Sequence, residues 1–142
     1  MDGDDEAARI LAAIAARNGV ARELGIELET VRAGAATLAL VVGERMLGGH
    51  GVCQGGYIFM LADMAGAYAC LSRGSSCLTQ TAHITYASPA RLDERLVAAA
   101  EEMMRTRRSA IYDVRVTAAG RLIALFRGQW RILEAPAIAA SP

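Results

Sequence analysis

The stretch Tyr57–Leu71, YIFMLADMAGAYACL, places apolar residues at nearly every position around a helical wheel, with Asp63 as its one charge. A helix of this kind has no solvated face and must be enclosed on most sides. Arg73-Gly74-Ser75-Ser76 breaks it downstream. Upstream lies MLGGHGVCQGG (46–56), rich in glycine and without periodicity, which reads as a loop delivering the chain into the helix at Gly55-Gly56.

Outward from this helix the period changes to two. After it, Thr79, Thr81, His83 and Thr85 alternate with Leu78, Ala82, Ile84 and Tyr86, a long strand over Cys77–Ser88 ended by Pro89. Strand-like stretches follow at Leu96–Met104, Ala110–Thr117 and Leu122–Leu133, with Thr106-Arg107-Arg108 and Ala119-Gly120 as turns. Before the helix, a strand starts at Glu23, with Leu24, Ile26 and Leu28 opposite Glu23, Glu27 and Glu29, and a second runs from Ala36 to Val42 after the turn at Ala33-Gly34. An amphipathic helix at about 4–18 leads in, with Asn18-Gly19 as its stop, and the tail at about 134–142 is expected to fray. The pattern predicts an α+β fold in one domain over 1–142: an antiparallel sheet of five to six strands wrapped around one long central helix, with a short N-terminal helix. Such a sheet is short of cover at its edges, which favours pairing of subunits.

The chain has 142 residues, 54% of them apolar, with fifteen basic residues balancing fifteen acidic ones. Zero net charge provides no long-range field toward nucleic acid or an anionic membrane. No apolar run reaches the length of a membrane span, and the acidic first residues do not resemble a secretory signal. Cys53, Cys70 and Cys77 are odd in number and lack CxxC spacing, which predicts a reducing compartment, the cytoplasm.

Two features carry the chemistry. At Gly55-Gly56 the first amide N–H groups have no intrahelical acceptor and the macrodipole is positive, so this end can hold a carbonyl oxygen or an oxyanion, although a tight entry turn alone would also explain the glycines. Asp63 sits in the apolar helix, where burial raises a carboxyl pKa toward the range a general base needs. The alternative is a structural Asp that caps an amide or pairs with an arginine. Eight residues at about 1.5 Å each separate Gly55 from Asp63 by roughly 12 Å, too far to act on one carbonyl within one subunit. A catalytic reading therefore requires a two-fold dimer with sites built from both chains.

The segment MLGGHGVCQGGYIFMLADMAGAYACLSRG, with IALFRGQWRI further on, resembles the phenylacetate-degradation (PaaI-type) hotdog thioesterases, most closely through HGxCxGGxxFxLADxAxAxA. The resemblance runs from about Met46 to Ile132. It implies a hotdog fold, a homodimer assembling to a homotetramer, and hydrolysis of acyl-CoA thioesters, often of aryl-acetyl or related acids, without a cofactor. By that resemblance Gly55 supplies the N–H that polarises the thioester carbonyl and Asp63 is the nucleophile or general base, with Gly48, His50 and Gly56 on the substrate. Two positions depart from the family pattern: Gln54 stands where His is usual, and Gly48 where Asn is common. Gln54 can orient a thioester or water through its amide but cannot carry a proton at neutral pH.

Other readings of these residues are weaker. Cys53 and His50 lie close together without an evident third group for a nucleophilic pair. No ligand spacing joins His50, His83, Cys53 and Asp63, so no metal is expected. Arg107 and Arg108 are either a solvated basic turn or contacts for CoA phosphates. The rival functions are a non-catalytic acyl-CoA-binding protein, consistent with the missing imidazole at 54, and an acyl thioester hydratase or dehydratase. The hydratase type has His five residues after the Asp, where this chain has Tyr68.

Overall fold

A computed structural model describes residues 2–138. The elements run α1 (Gly3–Arg17), α2 (Gly19–Leu24), β1 (Glu27–Arg32), β2 (Ala35–Val41), a single 3-10 turn at Glu44–Met46, α3 (Gly55–Leu71), β3 (Ser75–Tyr86), β4 (Arg95–Arg105), β5 (Ser109–Ala118) and β6 (Arg121–Pro136). All six strands form one antiparallel sheet in the order β1-β2-β4-β5-β6-β3. The sheet wraps α3, which touches every strand from β2 to β6. This is the predicted architecture, with six strands.

Three boundaries differ from expectation. The strand expected over Cys77–Ser88 runs from Ser75 to Tyr86, so Ser75 and Ser76 of the expected break already belong to it. The strand predicted from Glu23 begins at Glu27, because Asn18 does not simply stop α1. Its side chain accepts from the Ala21 amide at 3.0 Å and starts α2, which Gly25 closes in the left-handed conformation at φ 71°. Residues 23 and 24 are therefore helical. At the other end, β6 continues through 134–136, which were expected to fray, because Ser75 on β3 pairs with Pro136. Residues 139–142 of that expected tail lie outside the described residues.

The core interleaves large and small side chains between α3 and the inner sheet face. Leu38 and Leu40 from β2, Leu96 and Ala98 from β4, Tyr112 and Val114 from β5, and Phe126 and Trp130 from β6 are buried there. The Trp130 ring lies in a slot that Gly66 on α3 and Gly128 on β6 leave open; a β-carbon at either glycine would overlap it. Such overpacking costs about 1–3 kcal/mol, which explains a glycine in the middle of a helix.

Strand β3 does not keep the simple alternation expected of it. Its register to β6 steps from Thr79↔Trp130 to Thr81↔Gln129, so Gln80 is an extra residue, a β-bulge. Beyond the bulge, Ala82, Ile84 and Tyr86 pair with the inward Gly128, Phe126 and Ala124, while His83 and Thr85 line the outer face with Arg127 and Leu125. Before it the parity is reversed. Thr79 pairs with buried Trp130 and faces inward, and Leu78 pairs with Arg131 and is 62% exposed.

Candidate active site

Asp63 occupies the middle of α3 on the stripe Gly56, Met60, Asp63, Ala67, which runs along the helix at spacings of three and four. That stripe is partly uncovered, whereas Leu61, Ala62, Ala65 and Ala69 on the opposite side are buried in the core. The Asp63 carboxylate makes no salt bridge among the described residues. The Thr79 hydroxyl donates to its Oδ1 at 2.9 Å. Burial pushes the Asp63 carboxyl above its ordinary range, and the Thr79 bond offsets part of that rise. The structure thus holds a carboxylate of raised basicity in a half-buried apolar setting, oriented by one hydroxyl.

The start of α3 is built for a different task. Gln54, the residue before the helix, has no side-chain capping bond to it. The first main-chain bond into the turn comes from the Tyr57 amide to the Gln54 carbonyl at 3.0 Å, so the Gly55 and Gly56 amides have no backbone acceptor among the described residues. The approach loop is braced: Gln54 N–H donates to the Met46 carbonyl at 2.7 Å, and Cys53 N–H to the Ala90 carbonyl at 2.8 Å. Tyr86, from the far end of β3, donates from its hydroxyl to the Gly55 carbonyl at 2.9 Å, with its ring against the Gly55 α-carbon. Two free N–H groups at the positive end of a 17-residue helix form a ready receptor for a carbonyl oxygen.

The structure does not join these two halves within one chain, since α3 carries Gly55 and Asp63 more than two turns apart. A cleft of about 610 Å³ lies elsewhere, on the outer sheet face beside His83, Arg115 and Arg127; neither Asp63 nor Gly55 lines it. Edge strand β3, which carries Thr79 and Tyr86, is paired on one side, by β6.

The thioesterase superfamily profile matches residues 50–124, the span that holds both halves of this site. The chain is also 34% identical over 110 residues to the acyl-coenzyme A thioesterase PaaI of Escherichia coli strain K12, covering 77% of this chain and 79% of that one. The chain belongs to the thioesterase superfamily. It is a thioester hydrolase with the hotdog fold: the structure of the E. coli PaaI protein superposes on it with a TM-score of 0.93, at 29% identity, over 95% of this chain and 99% of that one. A hypothetical thioesterase from Streptococcus pneumoniae TIGR4, solved with coenzyme A, matches with a TM-score of 0.74 at 26% identity, over 76% of this chain and 85% of that one. Mutants of that protein, one with an Asp and one with a Thr replaced by Ala, have been solved as well, at 25% identity. Those two positions are sixteen apart, the separation of Asp63 and Thr79 here.

In this thioesterase the two departures from the PaaI-type pattern prove to be neighbours. A β-carbon at Gly48 would overlap the Gln54 amide oxygen, so the Gln54 side chain folds back into space that a residue larger than glycine at 48 would need. His50 is exposed on the glycine loop, and His83 lies on the outer face, away from α3. The buried Cys53 thiol donates to the Gln54 carbonyl at 3.6 Å rather than pairing with His50. Tyr68, at the hydratase histidine position, is buried and accepts from Asn18 Nδ2 at 2.9 Å, which removes it from the thioesterase site. Thr79 and Tyr86 were not singled out from sequence as site residues. Both lie on β3 among several hydroxyl-bearing residues, and nothing in the alternation distinguishes the two that face α3.

Proposed function

We propose that this thioesterase hydrolyses acyl-CoA esters, of aryl-acetyl or related acids, at two equivalent sites of a homodimer that pairs again into a homotetramer. In each site the thioester carbonyl rests on the Gly55 N–H of one protomer, with the Gly56 N–H beside it. Asp63 of the other protomer either attacks the carbonyl, expelling CoA thiolate and leaving an anhydride that water then hydrolyses, or removes a proton from the water that attacks the carbonyl and expels the thiolate. The coenzyme A bound by the S. pneumoniae relative supports the choice of thiol. Thr79 orients the Asp63 carboxylate, and Gln54 orients the thioester or the water; His50 and Gly48 shape the loop over the substrate.

The observation that carries this reading is Asp63 itself. An isolated carboxylate on a half-covered apolar stripe is costly to a fold and gains nothing from a partner cation. Two features support the dimer. The stripe is apolar apart from Asp63, and β3 at the sheet edge presents one side of its backbone for pairing with another strand. The outer face adds Leu78, Met103 and Leu125, exposed by 62%, 54% and 44%, as apolar area for the second association.

The test is Asp63→Asn in a free-thiol assay across a panel of aliphatic and aryl-acetyl CoA esters. Turnover on the best substrate is expected to fall by about 10²-fold or more. Turnover within a few-fold of the parent would remove Asp63 from the chemistry.

A further inference from the structure

One edge strand reaches both functional points of α3. Thr79 in the first half of β3 meets Asp63, and Tyr86 at its end meets Gly55. The strand covers about 20 Å between these two residues, against about 12 Å of helix between their targets. The long phenol of Tyr86 makes up that difference by reaching back to the helix start.

The contact is close and selective. The Tyr86 hydroxyl donates to the Gly55 carbonyl at 2.9 Å, and Tyr86 is the one side chain that hydrogen-bonds the first turn of α3 among the described residues. A β-carbon at position 55 would lie 3.0 Å from the ring carbon Cζ and 3.1 Å from the hydroxyl oxygen, so glycine there admits the tyrosine. The strand is anchored at this end: Tyr86 pairs with Ala124, and the Ala87 N–H donates to the carbonyl of buried Ile123 at 2.7 Å. Burial pushes the Tyr86 hydroxyl above its ordinary pKa, so it keeps its proton, and its role as donor, through neutral and mildly alkaline pH.

The Gly55 carbonyl and the Gly56 N–H belong to one planar peptide unit. Two consecutive glycines leave that unit free to rotate, and rotation would turn the Gly56 N–H away from its ligand. The preceding residue is already held, by the Gln54 N–H on the Met46 carbonyl and the Tyr57 N–H on the Gln54 carbonyl. A bond to the Gly55 oxygen fixes the next plane in turn and, by polarising the unit, strengthens its N–H as a donor.

We infer that Tyr86 is a positioning residue of the carbonyl-binding amides: its hydroxyl locks the Gly55–Gly56 peptide with the N–H groups turned toward the thioester oxygen. This rests on the shared-site hydrolase reading above. Tyr86 then serves the site to which its own Gly55 belongs, while Thr79 of the same strand serves the other site of the dimer through Asp63.

Tyr86→Phe keeps the ring against Gly55 and removes only the hydroxyl. Its kcat in the free-thiol assay is expected to fall about tenfold, with KM within twofold of the parent. Mixed chains read the placement. In an excess of about tenfold of Asp63→Asn chain, nearly every Tyr86→Phe chain joins a mixed dimer whose working site uses the neighbour's intact Tyr86 and Gly55, so turnover per Asp63 should return to the parental value. In the same excess of Asp63→Asn/Tyr86→Phe chain, turnover of the parent per Asp63 should fall about tenfold. A general loosening of the fold by Tyr86→Phe would not be relieved in the first mixture. The Gly56 amide proton, followed by glycine-selective ¹⁵N labelling, should also move upfield in Tyr86→Phe as its peptide loses polarisation. A kcat within twofold of the parent, or an unmoved Gly56 resonance, overturns the role of Tyr86. Low turnover that the first mixture does not restore, with the parent unharmed in the second, overturns the shared site and leaves Tyr86 its role within one chain. Absence of thiol release from every ester overturns the proposed hydrolase, and the Gly56 resonance still decides Tyr86.

Discussion

Thr79 donates its hydroxyl hydrogen to Asp63 Oδ1 at 2.9 Å, and it reaches the carboxylate because Gln80 is an extra residue in β3. In an unbroken strand Thr79 would share the outward face of His83 and Thr85, since side chains two apart point the same way. The bulge reverses that parity, brings Thr79 opposite the inward Trp130, and turns Leu78 out to solvent. A one-residue irregularity thus assembles the pair on which the proposed reaction depends.

Thr79→Ala should lower kcat/KM by about tenfold or more, the worth of one hydrogen bond to a charged group. Because that bond holds the Asp63 pKa down against burial, its loss should also move the acid limb of the pH–rate profile upward. Thr79→Ser should restore both. A fall in rate without movement of the limb would mean that Thr79 acts on something other than Asp63.

Asp63 also carries a stability signature with a definite sign. A carboxyl whose native pKa exceeds its unfolded one binds more protons when folded, so its stabilising contribution is complete below about pH 3.8 and is lost as pH rises through the raised native value. At neutral pH the ionised group therefore burdens the fold. Asp63→Asn should melt at a higher temperature than the parent near pH 7, with the gap closing toward pH 4 and below, measured by thermal unfolding across pH. In the active enzyme, the rate should rise with pH through the same raised pKa.

Sites shared between protomers predict complementation. Gly55→Pro, combined with Tyr86→Ala to clear the ring that lies against the Gly55 α-carbon, removes the N–H at the first helical position, and Asp63→Asn removes the carboxylate. Each variant alone should be nearly inactive. Refolded together in equal amounts, they should recover about a quarter of parental turnover, since half of the dimers are mixed and each mixed dimer has one intact site of two. Recovery of no activity from a mixture shown to contain mixed dimers would place the whole site within one chain.

Gly48 and Gln54 should behave as a coupled pair. Gly48→Asn alone forces the Gln54 amide out of the space it fills and should reduce kcat/KM by about tenfold. Combining it with Gln54→His, which removes that overlap, should recover most of the loss. Additive effects in the four-variant cycle would show that the two positions are independent.

Much of the architecture was legible in one dimension. The apolar circumference of Tyr57–Leu71 requires a buried helix, and period-two stretches on both sides require a sheet to bury it. The separation of Gly55 and Asp63 along one helix demands a second chain for any joint action. The misreadings share a cause. Glu23 and Leu24 fit a strand pattern over a few residues, but Asn18 can cap a helix as well as end one, and the Ala21 amide took that bond. The expected frayed tail is strand through Pro136 because its pairing partner, Ser75, lies some sixty residues earlier.

What the sequence by itself determined is the set of elements and the isolated carboxylate, because hydrophobic periodicity and the cost of burying a charge are properties of neighbouring residues along the chain. What only the tertiary structure decided is which hydroxyl meets that carboxylate and where the Gln54 amide lies. Each depends on strand register, set by hydrogen bonding between segments distant in sequence, and a single inserted residue such as Gln80 reverses the facing of every side chain on one side of it.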